Sequence, residues 1–451
     1  MTVAERLPWT LHAYHLLTGA SVPVADALLR RRLKRGKEDD QRLPERRGES
    51  SLDRPDGALV WLHCSSVGEF MSILPLIGRI RARAVTVLVT TGTVTSAALA
   101  QRRLPPGVLH QFVPIDMPQF VNRFLDHWRP SLAVFVESEL WPNLIVASAK
   151  RNIPLILVNG RVSERSYRRW RLAPGMIGSL LSRFDLCLAQ SPEDAARYAS
   201  LGAPRYLTTG NLKLDVPAPP ADPEKLRALQ NAIGARRVIG AASTHPGEEA
   251  ALIDVHRRLM HTFPGLLTVL APRHPERGPG IGAIARAAGL KFALRSRNEL
   301  PNPLTDIYVA DTLGELGLVY RIAPIVFLGG SLVRHGGQNP IEAAKLGAAI
   351  VHGPHIWNFA PIYTALDAAG GAELVTDTGK LAVRIGSWLK DADARHKVAQ
   401  TGFRAMNTLA GALDRTMAAL DPYLMQFRLE RRGGQGDQAD QVDQADQRDH
   451  A

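Results

Sequence analysis

Short apolar runs alternate with helix-length intervals twice along this chain of 451 residues. Such runs are typical of strands that are buried on both faces of a parallel sheet. The first series lies at Leu59–Cys64, Val85–Thr90, Leu132–Val136, Ile153–Val158 and Asp185–Leu188. The second series lies at Val238–Ala242, Leu267–Leu270, Ile307–Val309, Ile325–Leu328 and Ala349–Val351. The pattern predicts an α/β protein with two doubly wound domains that face a central cleft.

A proline-rich stretch, Val216–Asp222, suits neither helix nor strand and is interpreted as a linker. The predicted domains therefore cover residues 49–215 and 216–430. Residues 1–48 precede them as a basic, partly amphipathic segment. Residues 431–451 repeat Gln-Ala-Asp and Gln-Val-Asp units with almost no apolar content, so we expect a disordered tail.

The composition allows two buried cores, since 45% of the residues are hydrophobic. The two cysteines, Cys64 and Cys187, lie in apolar runs and indicate neither a disulfide framework nor a zinc cluster. The first 29 residues contain charges and prolines, and no window approaches the roughly 18 apolar residues of a spanning helix. These features predict a cytoplasmic protein.

The net charge of +12 is concentrated in two segments. Arg30–Arg47 holds nine basic and four acidic residues, and Arg161–Arg171 holds five arginines against Glu164. Nucleic acid, an anionic membrane and a solvated surface are three possible explanations. No zinc-finger spacing or RNP-type strand favours nucleic acid. The preceding leucines suggest an amphipathic helix on a bilayer, while a solvated, partly disordered linker is an equal alternative.

The most informative stretch is Gly329–Phe359, where an apolar strand runs into a loop with two adjacent glycines. The N–H groups of Gly336 and Gly337 would approach a phosphate, and Pro340 would start a helix whose dipole faces it. Glu342 would then reach a ribose hydroxyl. The alternative is that the glycines only form a tight turn.

Further polar residues at the same predicted edge favour a nucleotide-sugar site over a tight turn alone. They are Asn339 in the glycine loop, Ser243, Thr244, Arg273 and His274 after two other strands, and Gly314 and Glu315 in a third loop. Lys213, near the crossover at the end of the first domain, is also assigned to the donor side. Each residue is weak evidence alone, and an isolated His274 would more often be structural. Together they are hard to assign to packing.

In the first domain, Glu69 follows a strand within the sequence LHCSSVGE, which also contains Ser66 and Gly68. A partly buried carboxylate at this position is suited to accept a proton from an attacking hydroxyl. The alternative is a helix-start glutamate that is stabilised by the helix dipole. The motif alone favours neither interpretation.

A second group in the first domain combines acidic and basic side chains. Glu137 and Glu139 leave the end of a buried strand, and a short segment then places arginines around Tyr167 and Trp170. The arginines of interest are Arg161, Arg165, Arg168 and Arg169. A solvated helix face is the default interpretation. Aromatic and arginine side chains beside a cleft would also suit an acceptor with phosphates and an apolar body.

The motifs SVGE, ESELWPN, NGRVSERS, GNLKLD, STHPGEE, PRHPER, DTLGELGL and GGSLVRHGGQNPIE occur in this order between Trp61 and Phe359. This arrangement resembles the transferases of 3-deoxy-D-manno-oct-2-ulosonic acid (Kdo). The resemblance implies a GT-B fold with two Rossmann-like domains, CMP-Kdo as donor and a lipid A precursor as acceptor. It also implies attachment at the cytoplasmic face of the inner membrane, during assembly of the lipopolysaccharide core.

The resemblance also assigns roles to residues. It makes Glu69 the general base and places Glu137 and the Arg161–Arg169 segment on the acceptor side. It assigns the CMP side to Arg273, Gly314, Glu315, Asn339 and Glu342. No metal ion or other cofactor is expected.

The sequence departs from the family pattern at Cys64, Ser65, Pro246 and Gln338, and the last of these replaces a usual histidine of the phosphate loop. The familiar N-terminal anchor is weakened, which leaves peripheral attachment. Alternative functions are a GT-B transferase or epimerase that acts on a UDP-sugar, and a non-enzymatic protein that binds membranes or nucleic acid.

Overall fold

The computed structural model describes residues 7–427. The described residues form two compact units. The first unit contains the chain up to Val216 and returns from Ala410 onward, and the second contains Pro217–Leu409. The tail that was predicted at residues 431–451 lies outside the described residues.

The first unit is built on a seven-stranded parallel sheet with the order β3-β2-β1-β4-β5-β6-β7. Its strands are β1 (Leu59–Cys64), β2 (Thr86–Thr91), β3 (Leu109–Phe112), β4 (Leu132–Val136), β5 (Leu155–Gly160), β6 (Leu186–Ala189) and β7 (Tyr206–Thr208). Its helices are α1 (Trp9–Ala20), α2 (Val22–Lys34), α3 (Val67–Arg81), α4 (Val94–Arg103), α5 (Pro118–Trp128), α6 (Pro142–Lys150), α7 (Glu164–Trp170), α8 (Pro174–Leu181) and α9 (Pro192–Ser200).

The second unit repeats this plan in a seven-stranded parallel sheet with the order β10-β11-β9-β8-β12-β13-β14. Its strands are β8 (Val238–Thr244), β9 (Leu267–Pro272), β10 (Phe292–Leu294), β11 (Ile307–Val309), β12 (Ile325–Leu328), β13 (Ala349–His352) and β14 (Ala372–Leu374). Its helices are α10 (Pro223–Ile233), α11 (Glu248–Met260), α12 (Gly278–Ala287), α13 (Leu316–Ile322), α14 (Ile341–Lys345), α15 (Ala360–Ala369), α16 (Thr378–Lys390) and α17 (Ala392–Leu409).

The predicted α/β class with two doubly wound parallel sheets is confirmed. In each sheet the chain begins in the middle and builds outward on both sides, which is the winding that places ligands at the carboxyl ends of the strands. All ten predicted runs correspond to strands, with shifts of up to two residues at several ends. The apolar runs form the sheet centres because these strands are covered on both faces.

The C-terminal part of the chain differs from the predicted boundary at residue 430. A helix over residues 412–427 belongs to the first unit, although residues 216–430 were expected to form one domain. Its side chains Leu420 and Leu424 are buried in one cluster with Val60 and Leu62 of β1. Burial of this apolar face stabilises the helix on the first sheet, which the linear order of the motifs does not reveal.

The basic N-terminal segment is also part of the first unit. In α1, the Tyr14 hydroxyl donates to Asp116 at 3.0 Å. Arg46 is 5% exposed, and its guanidinium pairs with the buried carboxylate of Glu38 at 2.9 Å. Arg32 pairs with the same carboxylate at 2.6 Å. Over residues 7–48, the expectation of a partly disordered linker is therefore wrong, whereas the basic residues Arg30, Arg31, Lys34 and Arg35 are solvent-exposed.

Candidate functional site

Glu69 lies in the first turn of α3, just after the carboxyl end of β1. The Ser66 hydroxyl caps this helix: it accepts a hydrogen bond from the Glu69 amide at 3.3 Å and donates one to Oε1 of Glu69 at 2.8 Å. The Ser65 amide donates to Oε2 at 2.7 Å. Such bonds satisfy free amides at a helix start, so Glu69 has the structural role that the alternative interpretation gave it.

This capping role is compatible with proton transfer. Burial is the main cause that raises the pKa of the Glu69 carboxyl above its ordinary value, and the charge of Glu139 raises it further. The hydrogen bonds from Ser65 and Ser66 act in the opposite direction. Each carboxylate oxygen has two lone pairs, so both can accept a further proton donor. Gly68 is exposed in the same turn. A carboxylate with a raised pKa is a stronger base.

Glu139 lies close to Glu69 because β4 pairs with β1. Its Oε2 accepts hydrogen bonds from Ser65 Oγ and Trp141 Nε1, both at 2.5 Å. The structure therefore brings together two of the predicted first-domain carboxylates. It also shows that one oxygen of Glu139 is already occupied by neighbours in its own unit.

Glu137 has different surroundings, although it lies only two residues away. Its Oε1 forms an ion pair with Nζ of Lys213 at 2.6 Å. Its backbone has a φ of +56°, in the left-handed region that non-glycine residues adopt rarely. Lys213 was predicted on the donor side, but it lies in the first unit beside a predicted acceptor residue.

The predicted acceptor-side arginines lie on α7 and just before it. Those on the helix, Arg165, Arg168 and Arg169, are exposed, and Arg161 is half-buried. Arg168 forms a surface ion pair with Glu164, and such pairs contribute little to stability. The helix thus has the solvated face of the default interpretation, and acceptor binding by these arginines stays a prediction.

In the second unit, Glu342 lies in the first turn of α14. Burial raises the pKa of its carboxyl, and the hydrogen bond from Asn339 acts in the opposite direction. That bond is long, at 3.5 Å, while Asn339 Oδ1 accepts the Ile341 amide at 3.0 Å. Asn339 therefore binds the first amide of the helix, and the Glu342 carboxylate keeps most of its capacity to accept hydroxyl donors.

A pocket opens at the carboxyl ends of β8 and β9 and is lined by Ser243, Arg273 and Gly314. The Arg273 side chain is exposed and forms no hydrogen bond among residues 7–427. Ser243 has a φ of +55°, and such strain often marks a functional site. Gly314 has open space where a Cβ would stand. His274 is exposed next to Arg273.

Two predicted donor-side residues are occupied by internal contacts. Glu315 accepts hydrogen bonds from Arg295 at 2.9 Å and Lys225 at 2.7 Å. The Arg295 hydrogen bond is the main cause that lowers the pKa of Glu315 to about 2. The Thr244 hydroxyl donates to the buried carboxylate of Glu249 at 2.8 Å. Both residues hold the loops that carry them in place.

The paired glycines have a conformational role. Gly336 and Gly337 have φ values of +103° and +75°, and a Cβ at Gly336 would stand 2.5 Å from a neighbouring side chain. The Gly337 amide donates to the Gly330 carbonyl at 2.8 Å, so it is not free to bind a phosphate as predicted. The helix α14 begins at Ile341 and has five residues, so the predicted helix dipole is small.

Comparison with known proteins identifies the family to which the chain belongs. Residues 41–216 match the family described as 3-deoxy-D-manno-octulosonic-acid transferase (kdotransferase). A probable mitochondrial Kdo transferase of Arabidopsis thaliana is 38% identical over 82% of this chain and 86% of its own length. A Kdo transferase of Haemophilus influenzae is 35% identical over 85% of this chain and 92% of its own length. The chain belongs to the Kdo transferase family.

It is therefore a glycosyltransferase, as the resemblance implied. The fold agrees, since a crystal structure of a glycosyltransferase from Rickettsia africae is similar with a TM-score of 0.55. That similarity covers 82% of this chain and 99% of the other at 11% identity, so it bears on the fold alone. The predicted GT-B class is confirmed.

Sequence reasoning missed one residue that organises the glycine loop of this Kdo transferase. The buried carboxylate of Glu248 accepts four backbone amides: those of His245 at 2.9 Å, Gly330 at 2.7 Å, and Ser331 and Leu332 at 3.0 Å. Burial raises the pKa of Glu248, and these hydrogen bonds act against it. The loop amides that precede the paired glycines thus bind a side chain of the protein itself.

The structure also shows what Gln338 does in this family member. Its Nε2 lies 2.9 Å from Nε2 of His245, whose ring packs against that of His335 with centroids 3.7 Å apart. Burial and the neighbouring His335 lower the pKa of His245 to about 4. His245 is therefore neutral near pH 7 and able to accept the Gln338 amide proton.

Proposed function

We propose that this protein transfers Kdo from CMP-Kdo to a hydroxyl of a lipid A precursor, with inversion at the anomeric carbon. Glu69 takes the hydroxyl proton as the acceptor oxygen bonds to that carbon, and the bond to the CMP phosphate breaks on the opposite face. The observation that carries this proposal is the Glu69 carboxylate that Ser65 and Ser66 hold in place just after the carboxyl end of β1. Burial raises the pKa of this carboxyl, which supports the role of a base. The family relationship favours Kdo over the sugar of a UDP donor.

A direct assay tests this proposal. We expect radiolabelled Kdo to appear on a tetra-acylated lipid A precursor when CMP-Kdo is the donor, and no transfer from UDP-sugars. Transfer or epimerisation of a UDP-sugar, without Kdo transfer, would support the alternative enzyme. Absence of turnover with both donors, together with tight binding to lipid or nucleic acid, would support the non-enzymatic alternative.

The donor is proposed to bind at the carboxyl ends of the second sheet. Arg273 would neutralise the phosphate; this is supported by its exposed guanidinium, which forms no hydrogen bond among the described residues. The Glu342 carboxylate would accept ribose hydroxyls; this is supported by its free capacity, since its only hydrogen bond in residues 7–427 is the long one from Asn339. Among residues 7–427, no group of three or more His, Cys, Asp or Glu residues could hold a metal ion.

Replacing Glu342 by alanine is expected to weaken CMP binding about tenfold or more, because hydrogen bonds from hydroxyls to a charged group would be lost. Isothermal titration calorimetry with CMP measures this change. Glu224→Ala is the matched control, since Glu224 is an exposed glutamate in the first turn of α10, in the same unit. If Glu342→Ala binds CMP as tightly as the parent protein, Glu342 does not contact the nucleotide.

Attachment to an anionic membrane surface is proposed for the N-terminal helices. Three large apolar side chains of α1 are exposed, with Trp9 at 79%, Leu16 at 70% and Leu17 at 69%. Exposed basic residues at the end of α2 follow them, namely Arg30, Arg31, Lys34 and Arg35. Among the described residues, no helix has the length and apolar character needed to cross a bilayer. Apolar insertion and charge attraction together favour peripheral binding.

Replacing Arg30, Arg31, Lys34 and Arg35 by glutamine is expected to weaken binding to phosphatidylglycerol vesicles about tenfold or more, because each basic residue contributes on the order of 1 kcal/mol. Arg32 is left in place since it pairs with buried Glu38. Vesicle sedimentation at rising salt measures the effect, which should shrink as salt screens the charges.

The control replaces four exposed basic residues of the second unit by glutamine, so that the same charge is lost elsewhere. These residues are Arg257, Lys291, Lys390 and Lys397. Equal weakening by both sets would mean that overall charge, and not the N-terminal segment, drives binding. Tighter salt-sensitive binding to DNA than to vesicles would favour the nucleic-acid interpretation.

A further inference from the structure

A single residue connects the two carboxylates of the first unit. The Ser65 amide donates to Oε2 of Glu69 at 2.7 Å, and the Ser65 hydroxyl donates to Oε2 of Glu139 at 2.5 Å. Any shift of the Glu139 carboxylate would therefore move Ser65, and through it the hydrogen bond that orients Glu69. Glu139 thus has a direct structural connection to the proposed base.

The surroundings of Glu139 stabilise its charged form. Burial works to raise the pKa of the Glu139 carboxyl, but His63, Ser65 and Trp141 outweigh burial and lower the pKa below its ordinary value. The neighbouring Glu69 has the opposite outcome, because its pKa is raised by burial and by the charge of Glu139. Neighbouring carboxyls whose pKa values are driven apart are typical of sites that divide two roles between them.

His63 supports Glu139 from inside the sheet. The Trp61 indole can only donate, and it donates to Thr90 Oγ1 at 2.9 Å. The Thr90 hydroxyl proton can then be given to Nδ1 of His63, 3.0 Å away. The His63 proton would in that case be on Nε2, which is fully buried and lies 3.5 Å from Oε2 of Glu139. This series of hydrogen bonds directs the Nε2–H group of His63 toward the Glu139 carboxylate.

We infer that Glu139 is a positioning residue for the transfer reaction: it fixes the Glu69 carboxylate through Ser65 and holds a negative charge beside it. This inference rests on the proposed function of Glu69. It assigns Glu139 to the proton-transfer machinery, whereas the sequence predicted a residue that contacts the acceptor.

Glu139 is the main charge that acts on the Glu69 carboxyl, because the other ionisable groups near it are either paired or neutral. Glu137 also acts to raise the Glu69 pKa, but less, and its carboxylate is paired with Lys213. The Cys64 thiol is fully buried, and burial raises its pKa well above the ordinary value, so it is neutral. Within residues 7–427, His63 is the only basic residue at salt-bridge distance from the Glu139 carboxylate.

The test is Glu139→Gln in the full-length protein. We expect the acid limb of the pH profile of kcat/KM to move to lower pH, because loss of the neighbouring negative charge lowers the Glu69 pKa. The plateau rate should fall by less than the hundredfold or more expected for loss of a general base. Glu139→Asp keeps the charge, so the acid limb should lie close to its position in the parent protein.

A readout that does not need turnover separates this inference from the proposed function. Carboxyl carbons of glutamate are labelled with carbon-13 and titrated by NMR, and the Glu69 resonance is assigned as the one missing in Glu69→Gln. We expect a lower Glu69 pKa in Glu139→Gln than in the parent. If the Glu69 pKa falls but the rate profile does not follow it, Glu69 is not the base, while Glu139 still controls its protonation.

Two results would overturn the inference. An unchanged Glu69 titration in Glu139→Gln, with a native circular dichroism spectrum, would show that the Glu139 charge does not act on Glu69. A rise in the KM for the lipid acceptor with an unchanged acid limb would return Glu139 to acceptor binding. Should Glu139→Gln fail to fold, Trp141→Phe provides a second measurement. It removes one donor to Glu139, so the Glu139 pKa should rise and the Glu69 titration should change with it.

Discussion

Replacing Glu69 by glutamine is expected to lower the rate of Kdo transfer about a hundredfold or more while CMP affinity stays unchanged. Glutamine cannot take the proton from the acceptor hydroxyl, whereas the proposed nucleotide contacts belong to loops of the second unit. Glutamine at the third position of a helix still completes the cap with Ser66. The substitution therefore separates proton transfer from helix capping.

Single-turnover kinetics with saturating CMP-Kdo, together with calorimetry of CMP, measures both quantities. Glu193→Gln is the matched control, since Glu193 lies in the first turn of α9 and is exposed. Near-normal turnover in Glu69→Gln would remove this residue from the mechanism. A parallel loss of thermal stability and rate would instead indicate that its capping role dominates.

The sheet centres could be predicted from the sequence, and the sheet edges could not. The four strands that the apolar pattern missed are β3, β7, β10 and β14, and these are the outer strands of the two sheets. An edge strand pairs on one side only and needs no continuous apolar run. All three residues of β7 are exposed, and β14 has a single buried residue. Such short polar segments look like loops in a sequence.

The candidate site shows a similar division. Motifs identified which loops matter, because glycine, arginine and carboxylate residues follow strands that can be recognised. They did not reveal which groups are free, since this depends on contacts between distant residues. Lys213 pairs with Glu137, and the Gly337 amide pairs with the Gly330 carbonyl. Partners of this kind are set by the tertiary fold and have no local sequence signal.

Glu248 is the strongest case of a role that only the structure reveals, and its replacement by alanine is expected to be severe. Its carboxylate accepts the amides of His245, Gly330, Ser331 and Leu332. Three of these residues are buried, so their amides would have no water to replace the lost acceptor. An unsatisfied buried donor costs about 1–3 kcal/mol, so we expect the free energy of unfolding to fall by about 3 kcal/mol or more.

Thermal unfolding followed by calorimetry measures this loss, and a domain of this size should melt about 6 °C or more below the parent. Glu276→Ala is the control, because this exposed glutamate is expected to change stability by less than about 0.5 kcal/mol. Glu248→Gln should be intermediate, since its amide oxygen accepts some of the donors while its NH₂ group faces the others. A Glu248→Ala protein that melts with the parent would mean that these four hydrogen bonds give no net stability. The glycine loop would then be held by the positive-φ glycines and by its apolar contacts.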